Sequence, residues 1–204
     1  MREGPFSVRE YLPELAPDVP AAERLRRNLY MIEKAIGALH FEHAVAFDSE
    51  ACMVLEKSGD PGAISFSPAE MFVVRHSTMT HGHPQGGTFS PSDLQFAVLR
   101  ELVEIRASGV EQGVLVTYSI RPTNEGWLSG RACELLSEPN TNERAFVASL
   151  LRLRRTHLKE AFLEEMEKPV LGRSLAEFEA AVAHLAVDRL AQELGYIYSR
   201  EEMQ

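Results

Sequence analysis

The chain has 204 residues, 45% of them hydrophobic and 25% charged, a composition typical of one or two globular domains that excludes wholesale disorder. Two cysteines, Cys52 and Cys133, are too few and too far apart for a disulfide framework, so a reducing, intracellular setting is expected, with both thiols buried as small hydrophobes. A net charge of −9 opposes attraction to nucleic acid and anionic membranes. No run approaches the ~20 apolar residues of a membrane helix and the N-terminus lacks an apolar signal core, so the expectation is a soluble, cytoplasmic protein.

Residues 1–20 carry Pro5, Pro13, Pro17 and Pro20 and are expected to form an extended arm. From Ala21 to about Leu39, Leu25, Leu29, Ile32, Ile36 and Leu39 recur at spacings of three and four, the signature of one helical stripe. The period then changes. Phe41, Val45 and Phe47, followed by Cys52 to Leu55, predict a hairpin, and SGDPG predicts a turn. AISFS reads as a third short strand, SPAEMFVVR as a short helix capped by Ser67, and STMTHGHP as a strand running into a loop.

The stretch SPSDLQFAVLRELVEIRASG reads as a helix capped by Ser90 or Ser92, with Leu94, Val98, Leu102 and Ile105 as its stripe and Gly109 as its stop. GVLVTYSI reads as a buried strand, leading to a turn and a last short strand or loop near Trp127. Beyond Pro139 helix formers dominate: one helix from about Asn142 to Lys168, ended by Pro169 and Gly172, and a second from Ser174, where a capping box with Glu177 is expected, to Gly195. The fold class read from this order is α/β, a sheet with flanking helices followed by a C-terminal helical hairpin. The domain reading is an arm over 1–20, an α/β domain over 21–136 and a helical extension over 137–204.

The segment from Thr80 to Asp93 concentrates the chemistry. His81 and His83 stand one residue apart, and where a strand gives way to a loop such residues project to the same side, a chelating geometry. Asp93, ten residues later at a helix start, can fold back over the glycine-containing loop as a third ligand. Two imidazoles and one carboxylate leave one coordination position open, which marks a hydrolytic rather than a structural zinc site. An ion held so lowers the pKa of its water to roughly 7.

His81-x-His83-Pro84 with Ser90-x-x-Asp93 resembles the signature of the JAMM (MPN+, JAB-domain) metalloproteases, with some RadC-like character in the Gly-, Ser- and Pro-rich loop. The interval from His83 to Asp93 is one residue shorter than in most members, a deletion that Gly86 and Gly87 can absorb. The resemblance covers roughly 21–135 and implies a curved mixed sheet, one Zn²⁺ held by His81, His83 and Asp93, Ser90 as oxyanion partner, and a glutamate after the first helix as general base. Glu42 fits that last position; Glu50, Glu56 and Glu70 are the alternatives. The implied activity is hydrolysis of a peptide or isopeptide bond in a protein substrate, with a ubiquitin-like modifier as the natural candidate.

Competing readings stand beside these. Ser90 and Asp93 can serve simply as helix caps, and Glu42 as a solvated carboxylate at a strand end. His40, His43 and His76 read as surface or supporting groups with no assigned role. The basic run from Leu151 to Lys159 reads as a solvated helix face or, less often, a docking surface, and the C-terminal helices as a place for substrate, a homodimer contact or an assembly partner. The rival functional class is a non-proteolytic MPN or RadC-like scaffold.

Overall fold

A computed structural model describes residues 6–16, 18–124, 126–128, 143–168 and 174–203. Cys133, the expected helix start at Asn142 and the expected terminators Pro169 and Gly172 lie outside the described residues. Six strands form one mixed sheet in the order β2-β1-β3-β4-β5-β6, accompanied by five α-helices among the described residues. No helix among them is long and apolar enough to cross a membrane.

Helix α1 spans Ala21–Ile36 and buries Leu29, Ile32 and Ile36. They form a core with Val8 and with Val45 and Phe47 of β1 (His43–Phe47). The helix stops three residues before the expected Leu39, at Gly37, whose N–H donates to the Glu33 carbonyl at 2.9 Å; a Cβ at Gly37 would lie 2.4 Å from the Leu115 side chain. The arm is not simply extended. Val8–Tyr11 is a 3-10 turn capped by Ser7, and Glu56 accepts from the Val8 amide at 2.6 Å, which seats the Val8 side chain fully in the core.

Strand β1 pairs antiparallel with β2 (Met53–Ser58), the expected hairpin, and antiparallel with β3 (Thr78–Gly82). The AISFS strand does not form. The turn before it uses that stretch in a single Asp60–Ala63 bridge, and Gly59 permits the approach, since a Cβ would meet the Ala63 carbonyl at 2.2 Å. Helix α2 (Pro68–Val73) begins at Ser67 with a full capping box to Glu70.

The long helix expected over 90–109 is corrected. Helix α3 spans only Pro91–Arg100, closed by Glu101 at φ 50°, and Glu104–Glu111 is strand β4, parallel to β3. Leu94 and Val98 keep the helical spacing, but beyond them Ile105 and Ala107 are buried at a spacing of two, while Arg106 faces Glu33 of α1. A period of three to four and a period of two coincide over this short run, and β-branched Val103, Ile105 and Val110 decide for the strand. Gly109 is therefore no helix stop.

Gln112 and Gly113, at φ 54° and 80°, make the two-residue turn into β5 (Val114–Arg121), as a right-twisted hairpin requires. Strand β6 (Ile197–Glu202) was not expected. It follows the left-handed Gly195 cap, and its exposed, charged second half, Arg200 to Glu202, hides the alternation.

The chain divides into two compact units: residues 1–86, 102–117 and 201–204, and residues 87–101 with 118–200. In the first, α1 lies against β3 and β4 through a buried ion pair. Glu33, 1% exposed, receives Arg106 on both oxygens, at 2.6 and 3.2 Å, and Thr80 donates to it at 3.2 Å. In the second, α4 (Glu143–Glu167) and α5 (Leu175–Leu194) pack as the expected hairpin around Ala161, Val182 and Ala186, tied by Arg189 to Glu164. Trp127 stands in a turn rather than a strand and is buried against Tyr196, whose hydroxyl donates to its carbonyl at 2.6 Å.

Candidate metal centre

Strand β3 sorts its side chains by alternation. Thr80 turns to Glu33 on the α1 side, as do Val45 and Phe47 of the neighbouring β1, so Met79 and His81 turn to the other face. His81 is flanked there by Ala44 of β1 and Ala107 of β4, both fully buried, and these two methyl groups leave room for an imidazole that is itself 2% exposed.

His83 follows two residues later, where the strand ends. Its Nε2 stands 2.8 Å from His81 Nε2, with the rings edge to face at 73°. Gly82 between them is required by packing: a Cβ would meet the Ile36 carbonyl of α1 at 2.7 Å. The exit from His83 is pinned to β4, since its N–H donates to the Ser108 carbonyl at 2.7 Å and its carbonyl accepts from Gly86 at 2.9 Å. Gly109 lets this turn sit down on the strand, because a Cβ there would come within 2.6 Å of the His83 carbonyl.

Ser90 and Asp93 form a reciprocal capping box at the start of α3. The Asp93 carboxylate accepts from the Ser90 amide at 2.6 Å and Ser90 Oγ accepts from the Asp93 amide at 3.2 Å. The capping reading is thus realised for both residues. It does not consume them: a carboxylate has a second oxygen, and a serine hydroxyl that accepts still carries a proton to donate. His81, His83 and Asp93 each offer one ligand atom within 4.8 Å of the others, a His–His–Asp group that could hold a metal ion. Two imidazoles and a carboxylate are a donor set that zinc takes.

The four candidate bases are separated by register. Glu42 stands just before β1, two residues ahead of Ala44, which pairs with His81, and its backbone is fixed by bonds to Asp60 and Gly59. Glu56 pairs with Val45 and therefore turns to the opposite face, where it holds the 3-10 turn. Glu50 is exposed in the turn between β1 and β2. Glu70 is committed to Lys57, at 2.6 Å, and to the Ser67 amide; the Lys57 bond, then the Ser67 bonds, hold its carboxyl down at about 2.

Other expectations need correction. Cys52 is exposed, not buried, since it stands in the turn that opens β2. His43 is 1% exposed, bonded to Ser58 at 2.9 Å and set edge-on to Phe6; burial pulls its imidazole below the ordinary value, opposed by Glu56. The basic run is not uniformly solvated: Arg152, Arg155 and Lys159 are exposed, but Arg154 is 8% and His157 7% exposed. Within the second unit Arg154 donates to the Phe89 carbonyl at 2.9 Å, and Tyr198 of β6 bonds Thr88 at 3.1 Å and His184 at 2.7 Å. Sequence reasoning missed both supports of the loop before Asp93; the available signal was the position of Arg154, four residues after Leu150 on the same helical stripe.

Comparison with protein-family models, curated proteins and solved structures finds no significant match to this chain.

Proposed function

We propose that this chain is a zinc-dependent hydrolase of peptide or isopeptide bonds, of the JAMM type that its motif resembles, acting on a protein substrate with a ubiquitin-like modifier as the leading candidate. The observation that carries the reading is the convergence of the His81 and His83 Nε2 atoms, 2.8 Å apart, with a ligand atom of Asp93 within 4.8 Å of them.

In this reading His81, His83 and Asp93 hold one Zn²⁺, which when bound supplies Lewis acidity and makes hydroxide available near neutral pH. Glu42 takes the proton of the attacking water and delivers it to the leaving amine, the general acid–base role for which it must lie within hydrogen-bond reach. Ser90 accepts its cap bond from Asp93 and directs its own hydroxyl proton towards the developing oxyanion. No side chain is acylated, because water is the nucleophile.

The test combines metal analysis with cleavage of an isopeptide-linked ubiquitin-like substrate. The purified protein is expected to carry one zinc per chain, and His83→Ala to carry none. Glu42→Gln is expected to keep the zinc and lose ~10²–10⁴-fold in kcat, the usual worth of a general acid–base. Absence of zinc from both proteins would favour the scaffold reading, and an unimpaired Glu42→Gln would remove Glu42 from the mechanism.

A further inference from the structure

The loop that delivers Asp93 has little regular structure of its own. Between His83 and the start of α3 the backbone passes through Gly86 and Gly87 at φ 68° and 91°, values open to glycine at low cost. A loop of this kind orders at an entropic cost when it captures an ion, unless something orders it beforehand. The side chains within the same unit that do so come from the C-terminal half of the sequence. Arg154 of α4 donates through Nη2 to the Phe89 carbonyl at 2.9 Å, and Tyr198 bonds Thr88 at 3.1 Å.

Arg154 is the unusual member. It is 92% buried by complement of its 8% exposure, and its Nε has no hydrogen-bond partner among the described residues. A guanidinium is costly to bury, and a site that needed only packing would be served by an apolar side chain of similar size. Burial pulls the Arg154 guanidinium below its ordinary value, and the charge of Asp93 acts against that, so the cation and the candidate ligand carboxylate feel each other. Phe89, whose carbonyl Arg154 holds, is 1% exposed and immediately precedes the Ser90–Asp93 box.

We infer that Arg154 is a positioning residue of the metal centre: its buried guanidinium fixes the Phe89 carbonyl and thereby presets the loop and the Asp93 carboxylate for the ion. This rests on the metal reading given above, and it assigns to α4 a part in the site rather than a separate extension. Partners that orient ligands are typically worth 10–100-fold in metal affinity, and a loss in that range is expected here.

The experiment measures Co²⁺ and Zn²⁺ binding by the full chain, with Co²⁺ followed by its visible absorption, for the wild-type protein, Arg154→Met and Arg154→Lys. Wild type is expected to bind one ion. Arg154→Met is expected to keep its helical circular dichroism, bind 10–100-fold more weakly and show an altered Co²⁺ spectrum, which a merely structural residue would not change. Arg154→Lys, which keeps a charge but loses the planar fork, is expected to fall between the two, and it decides the matter should Arg154→Met fail to fold. Wild-type binding with unchanged affinity and spectrum in the folded variants would overturn the role of Arg154 and leave the metal centre standing. Absence of binding by the wild type would overturn the metal reading and this inference with it.

Discussion

His81 on β3 and His83 just past its end belong to a central strand whose rear face is tied to α1 by a buried carboxylate and guanidinium, Glu33 and Arg106, and by the close seat of Gly82 under Ile36. Asp93 stands at the first turn of a ten-residue helix, in a reciprocal pair of bonds with Ser90, and the glycine loop before it is tethered by single bonds from Arg154 to Phe89 and from Tyr198 to Thr88. The first support is strand pairing on both sides and a bidentate ion pair; the second is a handful of separate hydrogen bonds. The lesson is that a histidine pair can be made rigid by the sheet itself, whereas a carboxylate supplied by a loop depends on groups far away in the sequence. Variants of the first support should therefore act on folding and variants of the second mainly on the site.

The largest expected effect tests the rigid side. Glu33→Ala leaves Arg106 buried with Glu104 as its remaining carboxylate, at 2.8 Å, and removes the acceptor of Thr80. Breaking one partner of a buried pair costs about 3–5 kcal/mol, and a loss near the lower end is expected in urea unfolding because Glu104 persists. Burial raises the Glu33 carboxyl while Arg106 works against it; the bidentate contact to a group that only donates keeps it a carboxylate. The double variant Glu33→Leu with Arg106→Met should recover most of the loss. A loss below ~1 kcal/mol for Glu33→Ala would break the claim that this pair anchors α1.

Gly82→Ala comes next. Its methyl group would meet the Ile36 carbonyl oxygen at 2.7 Å and the carbonyl carbon at 3.3 Å, so backbone must move. Overpacking of this kind costs about 1–3 kcal/mol, visible as a lower unfolding midpoint. The helix and strand separate at the residue between the two proposed ligands, so weaker zinc binding should accompany the lost stability. A variant of wild-type stability would show that α1 is not pressed against the strand.

How much of this was legible in the sequence follows from the range of the interactions involved. The stripe from Leu25 to Ile36, the hairpin of β1 and β2, the Ser67 cap and the His81–His83 strand end are set by neighbours a few residues apart, and the sequence alone locates them. The start of β4 was misplaced because Leu102 and Ile105 satisfy the helical spacing, and only the pairing of Ile105 with Met79 and of Arg106 with Glu33 settles the strand. Strand β6 and the burial of Arg154 were illegible for the same reason: Ser119 meets Ser199, and Phe89 meets Arg154, over separations of 80 and 65 residues. The pairing of Ala44 with His81 needed the β1–β3 register, which a one-residue slip would have inverted.

Ser90→Ala sharpens the comparison on the tethered side, with a smaller effect on folding. Losing a serine cap costs about 0.5–2 kcal/mol, here one bond of 3.2 Å to the Asp93 amide. The capping reading and the oxyanion reading separate by magnitude: a cap alone predicts a slightly lower melting temperature and nearly unchanged turnover, whereas loss of an oxyanion donor lowers kcat by ~10²–10³ with zinc retained. Ser90→Thr keeps both functions and should restore both readouts. Turnover that survives Ser90→Ala would confine this residue to the helix start.

The smallest effect concerns Glu70, the acid that register and bonding set aside from the site. Lys57 and the Ser67 cap hold its carboxyl at about 2, below the ordinary carboxylate value of 4.5, so the folded protein favours the ionised form. A depressed folded value contributes stability that is present above the unfolded value and is lost as pH falls through the folded one. The melting temperature of Glu70→Gln should therefore lie slightly below wild type at pH 7, with the gap narrowing from about pH 5 downwards and closing near 2. The pair is solvent-facing, so the difference should also shrink in high salt, as an exposed ion pair does. Zinc content and turnover should be untouched throughout. A Glu70→Gln protein that folds normally yet loses turnover would instead make Glu70 the base and displace Glu42.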